Sequence, residues 1–123
     1  MPDEARRLVG VVDDDEAVRD SLGFLLETAG LNVVTYSSAA QFLSEASLDD
    51  LACLVVDQHM PELTGLQLIA RLRGQGVTLP ITLITGSPSA DLIRLARELG
   101  VAGVLEKPLD DAALLAFIEG VIV

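Results

Sequence analysis

The side chains with the clearest chemical potential in this 123-residue sequence are Asp13, Asp14, Asp57, Thr85 and Lys107. Each stands where an apolar run stops: Asp13 and Asp14 after residues 8–12, Asp57 after 51–56, Thr85 after 79–84, Lys107 just after 102–105. Carboxylates held a few ångströms apart repel by about 4 kcal/mol per pair at an effective dielectric of about 20. Such a cluster takes up protons or a hard divalent cation, and oxygen-only ligands point to Mg²⁺, or Mn²⁺ in its place. Beside that cation Asp57 is a candidate nucleophile towards phosphorus, because carboxylates form acyl phosphates. Lys107 is the sole lysine of the chain, a flexible point charge suited to neutralising a phosphoryl oxygen. Thr85 offers a hydroxyl donor, and Gly86 leaves room for an incoming group. Nucleophile, cation and cationic clamp are the parts that phosphoryl transfer needs.

Taken singly, each residue has a plainer explanation. The Asp13–Asp15 run reads as the solvated N-terminus of a helix, where carboxylates favour the positive end of the macrodipole. Asp57 and Thr85 read as loop caps, and Lys107 as a surface residue. His59 is the only histidine; without partners at ligand spacing it reads as structural or solvent-facing. The conjunction of acid, acid, hydroxyl and lysine at successive strand ends outweighs these separate explanations.

The conjunction matters only if the apolar runs are parallel strands that end at one edge. Residues 8–12, 32–36, 51–56, 79–84 and 102–105 read as five short strands, the third buried on both faces. Between them lie helical periodicities. Val18, Leu22, Leu25, Leu26 and Ala29 form the first, with Gly30 as its stop. Ala40, Phe42 and Leu43 form a shorter second helix, capped by Ser37 or Ser38. Leu68, Ile69 and Leu72 mark a third over residues 66–73, ended by Gly74 and Gly76. Leu92, Leu95, Ala96 and Leu99 share one face of a fourth over 89–99. Leu114, Leu115, Phe117 and Ile118 mark the last, over 109–121. Five βα units without repeats or linkers predict one α/β domain, with helices on both faces of a parallel sheet. Ligands bind such sheets outside the carboxyl ends of the strands.

Composition supports this and excludes other classes. Half the residues are apolar and the mean hydropathy is positive, which excludes disorder. A chain of this length buries roughly two-thirds of its unfolded surface around one core. The net charge of −11 and the few aromatic residues disfavour contact with nucleic acid or an anionic membrane. The single cysteine, Cys53, sits inside an apolar run, so no disulfide framework is expected and a reducing cytoplasm is the natural setting. Residues 1–7 are polar and carry no signal-peptide core, and no apolar run approaches the ~20 residues of a membrane span.

With these residues in place the whole chain resembles the receiver domain of two-component response regulators. Val11-Val12-Asp13-Asp14-Asp15 resembles the family's acidic pair after the first strand. Leu54-Val55-Val56-Asp57 with Met60-Pro61 and Gly65 resembles its phosphoacceptor strand and loop. Leu79-Pro80, Ile84-Thr85-Gly86 and Glu106-Lys107-Pro108 resemble the corresponding segments of FixJ-like receivers. The resemblance implies one receiver domain over residues 1–123, with a flavodoxin-like fold and strand order 2-1-3-4-5. It implies phosphoryl transfer to Asp57 from a phosphohistidine on a sensor histidine kinase, in the cytoplasm. Asp13, Asp14, Asp57 and the His59 main-chain carbonyl would hold Mg²⁺, and Lys107 would clamp the phosphoryl group. The Lys107–Pro108 peptide would be cis. Thr85 would move inward on phosphorylation and shift the face made by the fourth helix, fifth strand and fifth helix, a population shift that can also drive homodimerisation. His59 and Ser87 would line the approach of hydrolytic water and set the phosphoryl lifetime.

One position departs from the family pattern. Val104 stands where Tyr or Phe is usual, three residues before the lysine, and valine has one preferred rotamer and no ring to swing. Phosphorylation is therefore expected to shift the fourth-helix face less than in relatives with the aromatic residue. Two other readings compete. A small phosphatase of the haloacid dehalogenase kind would use Asp13 and Asp15 with Thr85 and Lys107. That family, however, expects Thr or Val where Ala17 stands, an acidic pair after a fourth strand, and a cap insertion. A degenerate receiver that works without phosphorylation is the other reading. Flavin or nucleotide binding is disfavoured, since no Gly-rich loop follows the first strand.

Overall fold

The computed structural model describes residues 8–122. The polar segment 1–7, where no secretory signal was expected, and Val123 lie outside the described residues. Strands and helices alternate along the chain: β1 (Leu8–Val12), α1 (Glu16–Thr28), β2 (Asn32–Tyr36), α2 (Ala39–Glu45), β3 (Cys53–Asp57), α3 (Gly65–Gly74), β4 (Ile81–Thr85), α4 (Ala90–Glu98), β5 (Gly103–Glu106) and α5 (Asp111–Ile122). The strands form one parallel sheet in the order β2-β1-β3-β4-β5, the flavodoxin-like order expected.

Alternation along the inner strands divides the core between the two faces. Val55 and Ile84 point with Val9 and Val11 towards α1 and α5, where Leu22, Leu26, Leu114 and Ile118 complete one cluster. Val56 and Leu83 point with Val12 and Leu54 to the opposite face, against Phe42, Leu68, Ile69, Leu72 and Ala96. Both faces being covered explains why β3 and β4 are apolar almost throughout. The helices start on side-chain caps: Asp15 for α1, Ser38 for α2, Thr64 with Gln67 as a capping box for α3, and Ser89 for α4. Gly30 and Gly100 take positive φ just past α1 and α4, a conformation that a Cβ disfavours.

Several boundaries and faces differ from the expected ones. A 3₁₀ turn, Leu48–Asp50, draws the Leu51 N–H to the Leu48 carbonyl, so β3 starts at Cys53 rather than Leu51. β4 starts after Pro80, which has no N–H to give to the ladder. At their far ends β3, β4 and β5 each take in one polar residue, Asp57, Thr85 and Glu106. Asp110 caps α5 by accepting the N–H groups of Ala112 and Ala113, so that helix starts at Asp111 and not at Leu109. Ala39, not Ala40, is the buried small residue of α2, and Ala40 is exposed. Leu95 is 41% exposed. The contact stripe of α4 is Leu92, Ala96 and Leu99, a spacing narrow enough to leave the next row in solvent.

Candidate functional site

The parallel register sets the four strand ends as a staircase along one edge of the sheet. Val12 pairs with Val56, so Asp13 lies level with Asp57. Asp57 pairs with Ile84, and Thr85 with Glu106, so Thr85 and then Lys107 each stand one residue further out. Two backbone bonds hold the steps, from the Gln58 N–H to the Ile84 carbonyl at 2.8 Å and from the Lys107 N–H to the Thr85 carbonyl at 2.9 Å. The Lys107–Pro108 peptide is cis, as the resemblance implied.

The loop behind Asp57 is tied to α3. The Gln58 side-chain oxygen accepts the Leu66 N–H at 2.9 Å and its carbonyl accepts the Gly65 N–H at 3.2 Å. A Cβ at Gly65 would lie 2.6 Å from the Asp57 carbonyl oxygen and 3.0 Å from the Gln58 Cα. Backbone cannot yield as a side chain can, so α3 approaches β3 this closely only with glycine at its first position.

Asp13 and Asp57 are buried, at 1% and 2% exposure, and Asp14 is exposed beside them. One carboxylate oxygen from each of the three can be chosen so that all lie within 4.8 Å of one another. Asp13 Oδ1 accepts the Asp15 N–H at 2.9 Å, and the Arg19 guanidinium donates to the Asp13 main-chain carbonyl at 2.7 Å. The Lys107 ammonium lies 3.0 Å from Asp57 Oδ1 and 3.6 Å from Asp13 Oδ2. Both oxygens are buried, and apart from the Lys107 ammonium neither has a donor among the described residues, fewer than a buried carboxylate oxygen can accept. Two such oxygens facing a third carboxylate form an oxygen-only donor set that fits a hard divalent cation.

The charges perturb one another. Burial raises the Asp13 pKa, the Asp15 N–H opposes it, and the Asp57 carboxylate raises it further. Burial alone would weaken the Lys107 ammonium, but its contacts with Asp57 and Asp13 outweigh that and hold its pKa above the ordinary value. Burial pushes the Cys53 thiol up to about 12, as befits a core residue.

Thr85 is fully buried, and its hydroxyl accepts the Ser87 N–H at 3.1 Å. Its second partner is the His59 ring, with Nε2 also at 3.1 Å. The structure thus brings together Asp13, Asp14, Asp57 and Lys107, and sets Thr85 and His59 as a pair at the same edge. The His59–Thr85 contact was not foreseen, because it joins loops 26 residues apart and a lone histidine carries no spacing signal. Arg73 was also missed. Its guanidinium donates to the carbonyls of Leu99 at 2.7 Å, Val77 and Leu79 at 2.9 Å, and Gly100 at 3.3 Å. A basic residue in the last turn of α3 was its only sequence signal.

The response regulator receiver domain model matches residues 9–119. The chain is 44% identical to the transcriptional regulatory protein FixJ of Azorhizobium caulinodans over 111 residues, covering 90% of this chain and 53% of that protein. It is 41% identical to FixJ of Bradyrhizobium diazoefficiens over 112 residues, covering 91% and 55%. The chain thus spans about half the length of the curated relatives it matches. A crystal structure of FixJ-N superposes with a TM-score of 0.82 at 32% identity, covering 94% of this chain and 92% of that one. A family match along nearly the whole sheet, with sole lysine and buried carboxylates converging at its carboxyl edge, leads to one assignment: the chain belongs to the response regulator receiver domain family, with FixJ-like character.

Proposed function

We propose that residues 1–123 form a receiver unit that takes a phosphoryl group onto Asp57 from a phosphohistidine of a sensor histidine kinase. The contact that carries this reading is that of the sole lysine, Lys107, 3.0 Å from the buried Asp57 carboxylate. An Asp57 oxygen attacks phosphorus in line, the P–N bond breaks, and the departing imidazole nitrogen keeps the electron pair. Lys107 then moves its charge from the carboxylates to a phosphoryl oxygen, and Thr85 donates its hydroxyl to another. Asp13, Asp14, Asp57 and the His59 main-chain carbonyl would hold Mg²⁺, or Mn²⁺, which when bound offsets the carboxylate and phosphoryl charge. Movement of Thr85 biases the face of α4, β5 and α5 towards a second arrangement. Ile93 and Leu95, 38% and 41% exposed on α4, suit that face to a phosphorylation-dependent homodimer.

An apolar groove lined by Val18, Leu22, Pro108 and Leu109 opens beside Lys107, where the histidine-bearing kinase would approach. The acidic charge keeps this domain off nucleic acid. In a longer protein built like its relatives, transcriptional control would pass through a separate unit. No described helix is long and apolar enough to cross a membrane, and the free buried Cys53 suits a cytoplasmic setting. The reading is that of a switch phosphorylated once, not of a phosphatase. Acetyl phosphate with Mg²⁺ is expected to label the wild type with one phosphoryl group per chain and to leave Asp57→Asn unlabelled. Multiple turnover of a small phosphomonoester, or equal labelling of Asp57→Asn, would overturn the proposal.

A further inference from the structure

Among the described residues the Thr85 hydroxyl makes two hydrogen-bonding contacts, and one of them is with the His59 side chain. A threonine hydroxyl has one proton and two lone pairs. The Ser87 N–H occupies one lone pair, and the other polar contact of the buried hydroxyl is His59 Nε2 at 3.1 Å. If Nε2 is the bare nitrogen, it takes the only hydroxyl proton. If Nε2 carries the proton, it fills the remaining lone pair. Under either tautomer the hydroxyl is oriented towards His59 and the Ser87 loop. Threonine moves between discrete χ1 wells, so a turn of the hydroxyl towards Asp57 gives up the His59 contact as a unit.

The ring is well placed to report on Asp57. His59 lies two residues after it, on a loop held by Met60, whose N–H donates to the Gln58 carbonyl at 3.2 Å and whose side chain is buried. The His59 contact therefore links the loop following β3 to the end of β4, and an inward turn of the Thr85 side chain breaks that link. On β5 the residue paired with Thr85 is Glu106; Val104, paired with Leu83 two residues earlier, has no ring.

We propose that the His59 imidazole is a positioning residue, a latch that holds the Thr85 hydroxyl in the resting arrangement until phosphorylation of Asp57 competes for it. This rests on the phosphoacceptor reading of Asp57. The latch favours the resting state, so its loss raises the population of the inward Thr85 arrangement by about 3- to 10-fold, the range of one net hydrogen bond. Phosphorylation by a small donor, which selects that arrangement, should speed up by a similar factor.

The test is a double-mutant cycle with His59→Phe, which keeps a ring but removes the nitrogens, and Thr85→Val, which removes the hydroxyl. Two quantities are read in all four proteins: the unfolding equilibrium without phosphodonor, and the initial rate of labelling by acetyl phosphate with Mg²⁺. The expected result is non-additivity in unfolding, together with about 3- to 10-fold faster labelling of His59→Phe that disappears in the Thr85→Val background. His59→Gln, whose amide can again pair with the hydroxyl, should restore much of the slower rate. Additive unfolding effects would overturn the latch. So would non-additive unfolding with an unchanged labelling rate, since the contact would then be structural only. Absence of labelling in the wild type is a different outcome: it would overturn the phosphoacceptor reading, and the latch with it.

Discussion

At the scale of single residues the site is a balance of buried charge. Asp13 and Asp57 give up most of their hydration, and the Lys107 ammonium between them offsets their mutual repulsion. The Lys107 pKa is raised in the folded protein, so its contribution is complete below its ordinary value of 10.5 and is lost as pH rises through the higher folded value. Tyr36 and Cys53 are also raised by burial, and each loses stability in the same alkaline direction. The share of Lys107 is therefore isolated by difference. Denaturant unfolding of the wild type and of Lys107→Gln, followed upward from pH 9, should show the stability gap between them closing above about pH 10.5. A gap that stays constant with pH would mean that the ion pairs contribute nothing.

At the scale of elements the site depends on how α3 and α4 are fastened. Arg73, in the last turn of α3, collects four carbonyls from the α3–β4 connection and from the end of α4. Its planar guanidinium suits several acceptors in one plane, which an ammonium cannot reproduce. Arg73→Ala should cost about 2–4 kcal/mol of unfolding free energy, and Arg73→Lys should recover little of it. Amide exchange at Val101 and Ala102 should quicken in both variants; unaltered protection there would show that α4 is fastened elsewhere. With its C-terminal end tied down, α4 is free to respond chiefly through the exposed Gly86–Ser89 segment at its start. Val104 packs against the same core as α4 and has no ring to swing. Beryllofluoride should accordingly produce large chemical-shift changes at Thr85, Gly86 and Ser87 and small ones along 92–99. Equally large changes through α4 would contradict this.

At the scale of the whole molecule a net charge of −11 in 123 residues makes the fold sensitive to cations. Added salt screens exposed charges, whereas the buried pair Asp13 and Asp57 is screened far less. Millimolar Mg²⁺ should therefore raise the Tm by several degrees over NaCl of equal ionic strength, an increment worth about 1–3 kcal/mol at saturating ligand. Asp13→Asn keeps an oxygen for the Asp15 N–H but removes one of the three carboxylates. It should be more stable than the wild type without Mg²⁺ and should lose most of the Mg²⁺ increment. The same increment in Asp13→Asn would place the cation elsewhere on the acidic surface.

Most of the architecture was legible in the residues because a parallel sheet covered on both faces demands continuous apolar runs, and each run here ends at a polar residue. Once the strands are parallel, their carboxyl ends must share an edge, so Asp13, Asp57, Thr85 and Lys107 could be brought together without coordinates. Some local rules were also readable: Ser37 or Ser38 as the cap of the second helix, which the structure assigns to Ser38, and Gly30 as the stop of the first; the Thr64 and Ser89 caps came only with the structure. Tertiary structure decided what depends on angle and distance. Helix rotation left Leu95 and Ala40 in solvent, since periodicity gives a face but not the width of its contact. The burial of Asp13 beside an exposed Asp14 follows from where β1 stops within the sheet. The Arg73 clamp and the His59–Thr85 pair each join residues 26 positions apart. Spacing along the chain does not reveal such contacts, because each joins segments that only the fold brings together: α3 with the end of α4, and the loop after β3 with the end of β4.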